Sequence, residues 1–207
     1  CIDELIGFEG VYRGWQITPV NMLLSNMGKT EILEDSAEKT IRRKGDGTVE
    51  IIKKGDKNNF SHILEWPVKS LKDWYIIKEK HLQADDPNRF PSQWQDYVER
   101  YKNRDYPLQL THGGVYGFAR NMMGDENLAY AFYDDPKLVH DIMDTYTDMC
   151  INIWSKMVSD IQFDLIECWE DMAFNSGALI SPALFREFMK PNYLKIKRFG
   201  FMNSLNN

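Results

Sequence analysis

Apolar residues are scattered at the start of the chain and become periodic further along it. Clusters at Ile2, Leu5, Ile6 and Phe8, then at Val20, Met22, Leu23 and Leu24, are punctuated by Gly7, Gly10 and Gly14. Thr18-Pro19 predicts a helix start, since proline is tolerated in the first turn. Ile41-Arg42-Arg43-Lys44, Gly45-Asp46-Gly47 and Thr48-Val49-Glu50-Ile51-Ile52 predict a hairpin with an Asp-Gly turn. Its charged strands mark a small β-hairpin excursion near residues 41–54, which the run from His62 to Val68 extends, with Pro67 at an edge. Ser70 and Asp73 fit a capping box and predict a helix to about Leu82. Asp85-Asp86-Pro87 breaks the pattern. Phe90-Pro91-Ser92 then leads into a helix carrying Trp94, Tyr97, Val98 and Tyr101 at helical spacing.

The second half is more regular. Tyr106-Pro107-Leu108-Gln109-Leu110 reads as a buried strand entering the glycine-rich loop Thr111-His112-Gly113-Gly114. Asp135-Pro136 supplies an N-cap and first-turn proline for a long helix, with Leu138, Ile142, Tyr146, Met149, Ile153 and Met157 on one stripe. Gln162-Phe163-Asp164-Leu165-Ile166 is a second strand, running into Glu167-Cys168-Trp169-Glu170-Asp171. Ser181-Pro182 starts a further helix, which Pro191 interrupts or kinks. Strand, loop, helix, strand, loop, helix implies parallel strands with helical crossovers, a pattern shared by open doubly wound sheets and closed barrels.

Composition narrows the partners. The 207 residues carry a formal net charge of -6 and are 43% hydrophobic, within the range of one ordinary domain, 1–207. The acidic balance argues against nucleic acid and against an anionic membrane surface. No apolar run approaches the roughly 20 residues needed to span a bilayer. Cys1, Cys150 and Cys168 lack CxxC spacing and read as reduced cytoplasmic thiols. The polar tail from Phe201 to Asn207 shows no helix signal, and the chain lacks an initiator methionine. Both ends read as cuts.

In parallel α/β folds, functional groups gather at the carboxyl ends of strands. The first loaded end is Thr111 to Gly117, with Arg120 just beyond. There His112, Tyr116 and Arg120 are placed to hydrogen-bond a substrate carboxylate, unless His112 only bonds a local carbonyl. The second is Glu167, Glu170 and Asp171. Clustered carboxylates serve as acids, bases or ligands, or else pair with a neighbouring loop. These six residues are the candidate substrate contacts; no catalytic residue and no metal ligand is assigned. Cys168 reads as a buried structural thiol, Met122-Met123 as core, and Lys195-Ile196-Lys197-Arg198 as a solvated helix face. GxGxxG, P-loop, GxSxG and HExxH patterns are absent.

The stretch from Asp164 to Ala173, followed by Gly177 to Phe188 and Pro191, resembles the uroporphyrinogen decarboxylase superfamily: an acidic strand end, a Ser-Pro helix start and a Phe-x-x-Phe-x-x-Pro helix. Gly113 to Gly117, Met123-Gly124, Glu126-Asn127-Leu128 and Asp135-Pro136 fit the same pattern, and the resemblance spans about residues 60–200. It implies a (β/α)8 TIM barrel, incomplete at both ends, since a closed barrel needs about 250 residues.

The superfamily holds a porphyrinogen decarboxylase and cobalamin-dependent methyltransferases. Asp171 stands where the decarboxylase has a serine near its substrate, and an added carboxylate repels an acidic porphyrinogen. The resemblance therefore favours the methyltransferase branch, which moves a methyl group between a corrinoid and an acceptor. The alternatives are decarboxylation and a catalytically silent ligand-binding homologue. In methyltransferase relatives zinc sits on a His-x-Cys pair and a later Cys; that segment would fall beyond Asn207, and the decarboxylase's essential Arg and Asp before Cys1. No cofactor is thus expected on this chain, and zinc and a corrinoid (cobalamin) are expected of the complete parent. The implied partners are a small-molecule substrate, a corrinoid protein and a second copy in a homodimer.

Overall fold

The computed structural model of the chain describes residues 19–55, 60–104 and 106–203. Cys1, the apolar clusters and glycines before residue 15, and Thr18 of the expected helix start lie outside these residues. Residues 19–30 form no helix; they run as an irregular strap.

The expected hairpin exists within a larger unit. Strands β1 (Glu31–Asp35), β2 (Lys39–Arg43), β3 (Val49–Lys53) and β4 (Ser61–Glu65) form an antiparallel sheet in that order. Register places Ile41 opposite Ile51 and Arg42 opposite Glu50. The second pair is an ion pair of 2.6 Å in which Glu50 is buried. The Asp46 carboxylate closes the turn by accepting the Thr48 N–H at 2.8 Å. β1 and β4 are exposed throughout, so most of this sheet stands in solvent, as its charges suggest.

Helix α1 (Leu71–His81) begins as the capping box predicts. Ser70 Oγ accepts the Asp73 N–H, and the Asp73 carboxylate accepts the Lys69 N–H at 3.2 Å. A 3-10 turn (Pro87–Arg89) and α2 (Trp94–Lys102) follow. β5 (Gln109–His112) then enters three consecutive helices: α3 (Val115–Met123), α4 (Asp125–Asp134) and α5 (Pro136–Asp160). The chain returns in β6 (Leu165–Cys168), parallel to β5, with Gln109 opposite Leu165 and His112 opposite Cys168. The glycine-rich loop is therefore shorter than expected, and Tyr116 and Arg120 are helical. Both strands also sit two or three residues later than the apolar runs suggested.

All six predicted stripe residues of α5 are buried, from Leu138 to Met157. They meet Leu108, Leu110, Val115, Phe118, Phe163, Phe188 and Phe199 in one core, which also takes in Met122 and Met123. Trp74 fixes α1 to this helix: it is fully buried, and its indole N–H donates to Asp141 at 2.6 Å.

A small hairpin, β7 (Ala173–Phe174) and β8 (Gly177–Ala178), precedes α6 (Pro182–Leu184). Ser181 Oγ accepts the Leu184 N–H, which confirms the predicted cap. Pro191 does not end the helix. A π-helical turn (Phe185–Met189) widens it just before the proline, the Lys190 N–H reaching back to the Phe185 carbonyl. That extra room accommodates a ring that would otherwise strike the carbonyl four residues earlier. α7 (Lys190–Met202) continues and absorbs Phe201 and Met202, which the sequence pattern leaves in the tail. Lys195 is tied to Asp144 and Asp148 of α5, and Ile196 is buried, so that run is only partly a solvated face.

Among the described residues the parallel sheet has two strands, one β-helix-β unit of the kind a barrel repeats; a closed barrel is not seen. No helix there is long and apolar enough to cross a membrane.

Gly124 joins α3 to α4 at φ 81°, ψ 160°, a conformation that essentially only glycine adopts. An added Cβ would also run into the Trp66 indole. Gly124→Ala should therefore cost about 3 kcal/mol of stability in urea unfolding. A loss below about 0.5 kcal/mol would mean that this junction relaxes freely.

Candidate functional site

The parallel register brings the two chemically loaded segments to one rim. The Trp169 N–H donates to the His112 carbonyl at 2.9 Å, which carries the β5–β6 pairing one step past the strands. The three acids at the exit of β6 part company.

Glu170 turns back under α3. Its carboxylate accepts the backbone N–H groups of Val115, Tyr116 and Gly117, the latter two at 3.1 and 3.2 Å, and the Tyr193 hydroxyl of α7. These are the donors a helix N-terminus leaves unpaired, and the helix dipole favours a negative charge there. No α3 side chain caps this end: Gly114 occupies the position at φ 83°, with the Trp169 carbonyl and Glu170 carboxylate filling the space where a Cβ would stand. Burial, reinforced by Glu170, raises the Tyr193 phenol well above its ordinary value and keeps it a donor.

Asp171 lies outward, its side chain 60% exposed, and pairs with Arg120 of α3 at 3.0 Å. The same Arg120 nitrogen donates to the Asp171 carbonyl at 3.0 Å. The cation expected to meet a substrate carboxylate thus already holds an internal one. Tyr116 is buried, and burial raises its phenol.

Glu167 stays on the strand, half-buried, and accepts from the Gln109 side-chain amide at 2.7 Å. It faces a cavity of about 370 Å³ with Thr111, His112, Gly113, Tyr146 and Trp169. The remaining wall is the strap, Val20 to Leu23. Arg89 fixes that strap. It is 1% exposed, and its guanidinium donates to the Asn21 and Leu23 carbonyls at 2.8 and 2.7 Å, and to those of His81 and Gln83. Two of these bonds fix peptides of the wall and two tie it to the end of α1, so the buried charge serves shape.

His112 lines the cavity with its ring but turns both nitrogens inward. Nδ1 accepts the Gly114 N–H at 3.1 Å, rather than a carbonyl being its partner, so the proton resides on Nε2. Nε2 is enclosed and has no protein partner. Tyr146 and Trp154 pack on the ring at 4.7 and 5.9 Å. Burial lowers the imidazole to about 4, so it is neutral at physiological pH.

Cys168 is half-buried, and burial, then Glu170 and Glu167, raise its thiol to about 11. Burial likewise raises Cys150. Their surroundings therefore hold both thiols protonated. Among the described residues no three His, Cys, Asp or Glu side chains converge as metal ligands.

Of the six predicted contacts, His112 and Glu167 line the cavity; Tyr116, Arg120, Glu170 and Asp171 build the adjoining helix end. Three contributors went unassigned in the sequence reading. Trp169 carries a readable signal, an aromatic at a strand exit. Arg89 and Tyr193 carry none, because their partners are remote in sequence.

A parallel strand-helix-strand unit with its chemistry at the strand exits defines an α/β protein. The family model for uroporphyrinogen decarboxylase (URO-D) matches residues 75–199, and the chain belongs to that family. No curated protein and no solved structure matches it.

Glu170→Ala leaves three backbone donors and a phenol without an acceptor, and should cost about 3 kcal/mol. Tyr193→Phe, which removes one donor, should cost about 1 kcal/mol. Equal, negligible losses in urea unfolding would show that Glu170 does not hold α3.

His112 gives a pH test. Its folded value, about 4, lies below the unfolded value of about 6.5, so the unfolded chain takes up the proton first. Stability is unaffected above pH 6.5 and falls as pH drops toward 4, by about 3 kcal/mol in all. His112→Leu should flatten the profile across that window relative to wild type. Parallel profiles would assign the acid sensitivity to carboxylates alone.

Proposed function

We propose that this URO-D family domain seats a small uncharged or cationic organic molecule in the rim cavity, and that the protein moves a methyl group between a corrinoid and an acceptor. The observation that carries this reading is the charge of the cavity. Among the described residues its lining is mostly aliphatic and aromatic, with Glu167 the one charged side chain and no lysine or arginine. A porphyrinogen bearing many carboxylates calls for basic walls, and the nearby Arg120 is already occupied by Asp171. This replaces the simpler idea that Asp171 repels an acidic substrate, because its charge is offset by its partner.

The implied cofactors do not fit the described residues. At about 370 Å³ the cavity lies at the small end of ligand pockets and does not enclose a corrinoid macrocycle, which would meet the rim from outside on a partner protein. Among the described residues no three ligating side chains gather to hold zinc. The work of these residues is therefore binding: Trp169 and Leu23 supply apolar contact area, Glu167 the polar contact, and the strap closes the far wall.

Full-length protein supplied with methylcobalamin and a small thiol should consume methylcobalamin and yield the methylated thiol by mass spectrometry. Glu167→Gln should lower kcat/KM by about tenfold or more with the fold intact. Release of carbon dioxide from uroporphyrinogen, with methylcobalamin untouched, would replace this reading by decarboxylation.

A further inference from the structure

A second recess lies behind the strap. It has a volume of about 570 Å³ and is bounded by the β2–β3 turn, β4 and α3. The two cavities share Asn21 and Leu23 in their walls. Between them stands a parallel stack of two rings, Phe118 facing the recess and Tyr146 facing the rim cavity, with centroids 3.9 Å apart and planes 2° from parallel. The strap and this stack are thus one partition with a chamber on each side.

The recess is built for an apolar body. Half-buried Trp66 offers a ring edge and exposed Met27 a thioether, which favours contact with aromatic groups, while the buried Phe118 and Met122 form the floor. Three large apolar side chains around it remain in solvent: Leu23 is 55% exposed, Met27 49% and Ile63 38%. Their grouping around one concavity of ligand size distinguishes them from scattered surface apolars. Charge is nearly balanced, since Lys44 and Asp46 both line the recess and lie 4.0 Å apart. Asn121, exposed on α3, supplies an amide that can donate and accept.

Part of this wall lies outside the stretch that the family model matches. The antiparallel sheet, residues 31–65, and the strap lie outside the family match at 75–199, whereas α3 lies inside it. The sheet is held down on α3 just past β4, where the Val68 N–H donates to the Met122 carbonyl at 3.0 Å. From these observations we infer that the sheet and strap form a specificity module, binding a flat, uncharged aromatic molecule with one hydroxyl or similar polar group between Trp66 and the Phe118–Met122 face of α3. This inference stands apart from methyl transfer, because its readout is binding alone.

The probe is 2-naphthol, titrated calorimetrically into the full chain. One saturable site is expected, with 2-naphthoate weaker than the neutral compound. Asn121→Trp, which fills the recess from its exposed rim, and Ile63→Lys, which puts a charge on its wall, should each weaken 2-naphthol by about tenfold or more. Circular dichroism and Tm report whether each variant folds. If Asn121→Trp does not fold, Ile63→Lys on the outermost strand decides. No saturable binding, a preference for the anion, or affinity unchanged in the folded variants would overturn the inference. So would affinity lost on Trp169→Ala alone, which would move the probe to the rim cavity.

Discussion

Four residue pairs hold β5 against β6, from Gln109 opposite Leu165 to His112 opposite Cys168, and this parallel register dictates which groups meet at the rim. A parallel pair needs a long crossover, here three helices, and the crossover must begin immediately after β5. α3 therefore starts at the rim with its unpaired N–H groups facing the exit of β6. A carboxylate at that exit finds the donors already oriented, and Glu170 takes them. Strand register, helix start and acid position form a single constraint: shifting either strand by one residue would aim Glu170 away from α3 and leave its first turn unpaired.

The rim would remain shallow without the strap. Residues 19–30 have no regular structure and so no hydrogen-bond ladder of their own. Their carbonyls need partners from elsewhere, and Arg89 is the main supplier. A guanidinium suits this role because its fork of donors can serve several carbonyls at fixed angles. The backbone thus becomes a wall whose inner side holds Val20 and Met22 against the cavity. Order in the wall comes from Arg89, which does not itself line the cavity.

Much of the architecture was readable locally. Ser70 with Asp73, Asp135-Pro136 and Ser181-Pro182 each state a helix start within four residues, and all three are caps in the structure. The α5 stripe and the Asp46 turn are local in the same sense. β1 was hidden because Glu31-Ile32-Leu33-Glu34-Asp35 has no alternation; it is a strand because β2 offers a paired edge. α3 was hidden because Gly113, Gly114 and Gly117 suggest a loop, while its cap comes from Glu170, more than fifty residues away. The site was legible to the same extent. The two segments that meet at the rim could be named, but the separate duties of Glu167, Glu170 and Asp171 depend on the direction in which each leaves the strand end.

That division of duties bears directly on function. Three acids so close together would ordinarily argue for a strongly anionic site, and in that case for a cationic or metal ligand. Two of the three are spent inside the protein, one on a helix terminus and one on Arg120, and only Glu167 remains at the cavity. The same pairing spends the one arginine that an acidic substrate would have used. With His112 neutral and its nitrogens turned inward, the cavity presents little net charge for its size. In the proposed reading, binding free energy comes from contact with Trp169 and the strap, so shape and apolar area select the ligand alongside the single charge of Glu167. The recess beyond the Phe118–Tyr146 stack has its own balanced pair, Lys44 and Asp46, so the two proposals share one rule, selection by the body of a molecule before its charge.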